Sequence, residues 1–267
     1  TPVDQNRAVF NPSLATMDFL GTRKLPWAEA SGSLFLASGL LWEYGGDSFK
    51  ENGFLTYPQA KDFTALTTGG ALSNGTYTYQ FVYEWTSLKG GVQRSYPSEP
   101  INVTYNDATV PPSTTQRGLF AVYRPIWSQK RESNGLANPR LVMYRSGEVL
   151  SGDTTMYRVG DVEILMESSD EFSLILDQAI NEAGAQDNEQ IYSTGDVGDV
   201  FGNIAPPCST DIVRHKNRLF LAMADGSVWY SKTMVPTRGV EFSDLQVKPV
   251  ENYTGTISAI GALRDYL

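Results

Sequence analysis

The chain has 267 residues, 41% hydrophobic and 12% aromatic, with 30 acidic against 21 basic side chains, a formal charge of −9, one His (His215) and one Cys (Cys208). A single Cys excludes an internal disulfide and a thiolate zinc site, and a single His excludes a multi-histidine metal cluster, while calcium held by Asp and backbone oxygens stays open. The acidic balance argues against a DNA-coating protein, which needs clustered Lys and Arg on phosphate, and no apolar run approaches the roughly 20 residues of a membrane-spanning helix.

The opening TPVDQNRAVF lacks the basic and apolar regions of a signal peptide, so a soluble protein is expected. With no initiating Met, and with residues 262–267 ending as if in mid-strand, the sequence is expected to be a piece of a longer chain. Residues 34–44, LFLASGLLWEY, read as a β-hairpin turning at Ser38-Gly39 and rising through Trp42 and Tyr44. Residues 219–230, LFLAMADGSVWY, repeat the pattern with a turn at Ala224-Asp225-Gly226 and the pair Trp229 and Tyr230. Gly46-Asp47-Ser48-Phe49 follows the first hairpin, residues 239–244 (GVEFSD) follow the second, and residues 257–263 read as the opening of a further unit. Isolated hairpins are marginal, so repeated ones are expected to pack as propeller blades; two unrelated hairpins in one sandwich is the competing reading.

Between the repeats the character changes, from Thr67-Thr68-Gly69-Gly70 to the acidic, Gly-rich stretch 187–202. Residues 76–85, TYTYQFVYEW, alternate as a strand with Tyr77, Tyr79, Phe81 and Tyr83 on one face and Thr76, Thr78, Gln80, Val82 and Glu84 on the other. The aromatic face reads as a sandwich core, with a carbohydrate platform as the alternative. A turn at 88–91 leads to Val92-Gln93-Arg94-Ser95, and further strands are expected at 101–105, 118–124, 140–145 and 155–159. Asp170 to Ala185 reads either as more of the sandwich or, instead, as a short helix.

The ordered set LLWEY, GALSNGTYTYQFVYEWTSLKGGVQRSYPSEP, LVMYRS, QIYSTGD, IAPPCSTDIVRHKNRLFLA, DGSVWYSK and VEFSD resembles a family of bacteriophage tail structural proteins, over about three quarters of the chain. Its nearest counterpart is the nozzle, or tail tubular, protein of short-tailed phages. The resemblance implies a propeller-like domain carrying a fibronectin type III-like insertion, and a ring of identical subunits, a hexamer, that continues the DNA channel below portal and adaptor. The stretch SQKRESNGLANP at 128–139 departs from the pattern as an expanded loop.

Candidate chemistry is thin. His215 sits among Arg214, Lys216 and Arg218 with no orienting carboxylate in sequence and no GxSxG elbow in the chain, so it reads as a surface or interface residue. Cys208 reads as a small buried apolar residue, and Asp225-Gly226 as a turn rather than a sialidase-type Asp box. Glu163, Glu167, Asp170 and Glu171 invite a glycosidase reading, but acids between strands are ordinarily a solvated loop. The sequons at Asn74, Asn102 and Asn252 carry no glycan in a bacterial host, and no P-loop or dinucleotide fingerprint occurs.

The expectation is therefore an all-β protein: propeller-like hairpins over 1–66 and 191–267, with an immunoglobulin- or fibronectin-like sandwich over 67–190. No residue is nominated as catalytic, cofactor-binding or metal-ligating, and no enzyme is expected. The expected role is a virion tail subunit, assembled in the host cytoplasm, past which genomic DNA slides without specific binding. The alternatives are a glycan-binding or glycan-cleaving host-recognition protein and a capsid decoration protein.

Overall fold

The computed structural model describes residues 7–11, 15–18, 25–46, 49–87, 89–106, 115–125, 128, 130, 138–164, 171–191, 202–235, 238–250 and 255–263. The chain is all-β, built from several antiparallel sheets, and the described strands close no barrel. It opens with a hairpin of β1 (Arg7–Asn11) and β2 (Ala15–Asp18). A four-stranded meander follows: β3 (Trp27–Ala30), β4 (Ser33–Ser38), β5 (Leu40–Tyr44) and β6 (Phe49–Glu51), paired in that order. Ser31 and Gly32 take φ of 50° and 75°, the two left-handed residues that a tight hairpin matched to strand twist requires.

The sandwich comprises β7 (Ala60–Leu66), β8 (Gly75–Thr86), β9 (Val92–Arg94), β10 (Ile101–Tyr105), β11 (Arg117–Tyr123), β12 (Arg140–Glu148), β13 (Tyr157–Glu163) and β14 (Phe172–Leu176), then the single turn α1 (Glu182–Ala185). One sheet runs β10-β8-β12-β13 with β9 on the far end of β8, and the other runs β14-β11-β7. Its first strand thus begins at Ala60, ahead of the boundary expected at 67. Tyr77, Tyr79, Phe81 and Tyr83 point into the core against Phe120, Val122 and Ile175 of the facing sheet. The aromatic stripe is therefore core.

The opposite face of β8 is buried too, which strict alternation does not announce. Val82 packs with Val142, Tyr144, Met156 and Ile191. Beyond Arg94 the segment Ser95–Pro100 cannot pair as a regular strand, because Pro97 and Pro100 lack N–H groups. Ser95 and Ser98 substitute, each accepting a β8 amide on its hydroxyl (Tyr83 N at 2.9 Å, Phe81 N at 3.0 Å) and returning its own amide to the same residue's carbonyl.

The neighbour relations are those of an immunoglobulin-type sandwich with a changed chain order. In that fold A, B and E share one sheet and G, F, C and C′ the other. Here β7-β11-β14 occupies A-B-E and β10-β8-β12-β13 occupies G-F-C-C′. The chain visits them as A-F-G-B-C-C′-E, the F–G hairpin having moved between A and B. After β14, α1 lies beside the start of β8, where Tyr77 Oη donates to Glu182 at 3.0 Å, so the E-to-F neighbourhood survives without the connection. Of the two readings open for 170–185, the strand holds at β14, because Phe-Ser-Leu-Ile-Leu buries Ser173 and Ile175 at alternate positions, and the helix holds only for the last turn.

The chain then adds β15 (Asn203–Ile204), β16 (Ser209–His215), β17 (Arg218–Met223), β18 (Ser227–Tyr230), β19 (Phe242–Ser243) and β20 (Val247–Pro249). A second four-stranded meander forms as β16-β17-β18-β20, while β15 pairs with β19. Residues 257–263 contribute no named strand and lie along β16, where Thr210 donates to Ile257 O at 2.7 Å and Asp211 accepts from Ile260 N at 2.9 Å.

The repeated hairpins occupy equivalent places, β4–β5 and β17–β18. Leu36 stands opposite Trp42, and Leu221 opposite Trp229. Yet they bury opposite faces. Phe35, Ala37 and Leu41 of the first meander pack against Leu219, Leu221 and Met223 of the second. In the shared motif Leu-Phe-Leu-Ala, the first copy turns its second and fourth positions inward and the second copy its first and third. The sheets are stacked front to back, the relation of successive propeller blades, each a four-stranded sheet.

Candidate functional site

The tip of the sandwich is driven into the two meanders, and the contact is polar. Val92 bridges Arg238 in parallel, with Gly239 N donating to Val92 O at 2.9 Å. Gln93 is fully buried: its amide nitrogen donates to Glu43 Oε2 at 2.6 Å, and its amide oxygen accepts from Gly53 N at 3.2 Å. A Cβ on Gly239 would fall 2.5 Å from Gln93 Cγ, so only glycine allows the approach. Asn52 donates to Val240 O at 2.9 Å, linking the first meander to the second.

Arg94 gathers the charges. Its Nε meets Glu84 at 2.9 Å, a terminal nitrogen meets Glu189 at 2.5 Å, and its amide donates to Glu241 Oε1 at 3.1 Å. Burial pushes the Glu241 carboxyl above its ordinary range, against the pull of Lys232 and Arg94. Lys232 donates to Asn203 Oδ1, and Asn203 donates in turn to Glu241 at 3.3 Å and to Arg94 O at 3.1 Å. Residues from both meanders and the sandwich thus share one hydrogen-bonded network, with Asn52 Oδ1 left as a buried acceptor without a partner.

A second anchor comes from Ser128 and Lys130, between β11 and β12. Lys130 is fully buried, donates to the carbonyls of Glu51 and Gly53, lies 3.5 Å from the Glu51 carboxylate, and sits over the rings of Phe54 and Trp85 at 5.0 and 5.4 Å. Ser128 donates to the same carboxylate at 2.5 Å. Burial lowers the Lys130 ammonium pKa, opposed by Glu51 and Glu43.

The sandwich carries its own buried ion pair. Arg145 meets Asp177 at 2.5 Å and Ile180 O at 2.7 Å, while Tyr79 donates to Asp177 at 2.8 Å and shares a 2.9 Å hydrogen bond with Tyr105. Desolvation raises the Tyr79 phenol well above its usual range, with the Asp177 charge adding to it.

Among the described residues, the open clefts include two lined by aromatic rings. The outward face of the second meander forms a groove of about 820 Å³ between Arg218, Phe220, Val228, Tyr230, Lys248 and Val250. Arg218 lies 5.4 Å over the Tyr230 ring, and Phe220 lies 5.9 Å from Tyr230. A smaller cleft of about 320 Å³ is lined by Leu55, Tyr57, Tyr96, Asn203, Ile204 and Asp244, where the exposed rings of Tyr57 and Tyr96 meet edge to face at 6.0 Å.

The residues singled out in sequence do not converge. His215 ends β16, half-buried, its ring 6.2 Å from Phe220. Cys208 is exposed rather than buried: the strand that starts at Ser209 turns that serine inward and leaves its neighbour outside. Asp225 makes a turn, accepting Ser227 N at 2.8 Å and Ser227 Oγ at 2.6 Å, bonds that depress its carboxyl pKa. Glu163 accepts from Asn138 at 2.7 Å, Glu171 is exposed, and Glu167, Asp170 and Asn252 lie outside the described residues. Asn74 accepts from Gln116 at 2.7 Å and Asn102 from Thr78 at 2.8 Å. Among the described residues no group of three His, Cys, Asp or Glu could hold a metal ion, and no helix is long and apolar enough to cross a membrane.

Gln93, Asn203, Lys232, Glu241 and Lys130 went unmarked in sequence. Only Glu241 carries a local signal, a carboxylate between two fully buried apolar residues, Val240 and Phe242. No family model and no curated protein matches the chain.

Proposed function

We propose that the chain is a structural subunit of a bacteriophage tail, of the nozzle or tail tubular type, assembling into a ring that continues the DNA channel. The observation that carries this reading is the front-to-back stacking of the meanders together with the open front of the second. Phe220, Val228 and Tyr230 occupy on that sheet the face that Phe35 and Ala37 use to bind its neighbour. Such a relation is heterologous, and heterologous contacts close into rings when the rotation permits. Six copies would meet portal, adaptor and other tail proteins along the axis, in a virion tail put together in the host cytoplasm. The net charge of −9 suits a lumen that repels phosphate. The polar junction fixes sandwich and meanders as one body, as a load-carrying conduit needs.

A host-recognition reading draws on the cleft of Tyr57 and Tyr96, whose exposed rings beside Asp244 offer the stacking faces and acceptor that a sugar takes. Reconstruction of the intact particle separates the two. Density for this chain as an axial ring supports the conduit; density in a peripheral spike overturns it and makes Tyr57 and Tyr96 the residues to mutate.

A further inference from the structure

Within the junction, three buried side chains stand in an order that chemistry can use. Lys232, Asn203 and Glu241 are 8%, 4% and 7% exposed. The Lys232 amine is hydrogen-bonded to the carbonyl oxygen of the Asn203 amide, which places the nitrogen beside the amide carbon. The Glu241 carboxyl is at the other end of the same amide, 3.3 Å from its nitrogen. A nucleophile thus faces the electrophilic end of an amide and a proton carrier faces its leaving group. The frame is rigid: Lys232 N donates to Glu241 O at 2.8 Å, and Asn203 pairs with Ser243, two residues from Glu241.

We propose that Lys232 and Asn203 condense into an intramolecular amide cross-link between their side chains, with Glu241 relaying the proton. Lys232 passes its extra proton to Glu241, since a buried ammonium and carboxylate gain by becoming a neutral amine and acid. The upward shift of Glu241 is in the direction that transfer needs. The amine Nζ forms a bond to Asn203 Cγ. The Cγ–Nδ2 bond then breaks as Glu241 gives its proton to Nδ2 and takes one from Nζ; the leaving ammonia carries that last proton away as ammonium, which returns Glu241 to the carboxylate it began as. The balance is amine plus amide to substituted amide plus ammonia, with no oxidant, metal or activated donor. Fixed proximity supplies what an amide otherwise lacks as an acyl donor. Asn203 also lines the cleft of Tyr57 and Tyr96, which gives ammonia a way out. The bond would staple the segment returning from the sandwich, at β15, to the strand end after β18.

The test is the intact mass of the purified chain, followed by a proteolytic map. The expected result is a mass lower than that of the sequence by one ammonia, and a branched peptide joining residues 203 and 232. Lys232→Arg, Asn203→Ala and Glu241→Gln should each restore the full mass. Glu241→Gln keeps shape and hydrogen bonding, and circular dichroism checks that it folds. Asn52-Gly53, Asn74-Gly75 and Asn134-Gly135 can also shed ammonia by cyclising, but none of them gives a branched peptide. The wild-type chain at full mass after prolonged incubation, or ammonia loss without the branch, overturns the proposal.

Discussion

The front-to-back stacking makes two residues with the same place in the repeat behave differently when truncated. Phe35 is the second residue of Leu-Phe-Leu-Ala in the first meander and is fully buried between the sheets; Phe220 is the second residue in the other and lines the open groove. Phe35→Ala removes a ring enclosed by Ala28, Leu41, Leu219 and Leu221, and a cavity walled by two sheets closes poorly, so a loss of about 3–5 kcal/mol is expected. Phe220→Ala gives up partial contacts with Tyr230 and His215, about 1 kcal/mol in the unassembled chain. Guanidinium unfolding should show a much lower midpoint for Phe35→Ala at unchanged slope and a near-native one for Phe220→Ala. Light scattering at rising concentration should show Phe220→Ala losing any self-association the native chain has. Equal losses of stability for the two variants would refute the stacking order, because both rings would then be enclosed within one chain.

Arg145→Met should cost about 3–5 kcal/mol, because it leaves Asp177 buried with one oxygen already unpartnered; Arg145→Met with Asp177→Asn should recover part of that, read as a coupling energy in the denaturant cycle. Glu241 sets a pH dependence. Its folded pKa is raised above the ordinary 4.5, so the folded state binds the proton more tightly; stability present below that value falls as pH climbs through the folded pKa. Glu241→Gln should flatten that decline in a pH series of thermal midpoints, and an unchanged slope would assign it to other groups.

What could be read in the sequence was what repeats or alternates. The LFLA hairpins, the stripe from Tyr77 to Tyr83 and the Asp225-Gly226 turn each leave a pattern within a dozen residues, and each pattern corresponds to a local backbone geometry. The junction leaves none, since Gln93 meets Glu43 across 50 residues and Asn52 meets Val240 across 188. The facing of the hairpins was equally hidden. A leucine, phenylalanine, leucine and alanine in succession are all apolar, so alternation gives no hint of which pair turns inward; that is decided by the neighbouring sheet. Cys208 failed for a related reason, since composition predicts burial for a lone thiol while the phase of β16 places it outside.

The neck of the sandwich explains how a permuted module of this size sits between two sheets that must pack on each other. The outgoing chain at Gly53 and the returning chain at Ala205 touch, and a Cβ on Gly53 would stand 3.1 Å from Ala205 Cα. With the two ends held together, the module can have any internal strand order without disturbing the stacked meanders, and its length adds little to their closure entropy. Position alone would still leave it free to swing about that neck. Gln93, Arg94 and Lys130 remove the freedom: the first two drive the β8–β9 tip against Glu43 and Glu241, and the third grips the carbonyls of Glu51 and Gly53 at the neck itself. Hydrogen bonds are directional where apolar contacts are not, so a polar joint fixes the angle as well as the distance. The ring subunit proposed above, whose neighbours would have to meet it at a set angle, would need that property, and an apolar interface of the same area would not supply it.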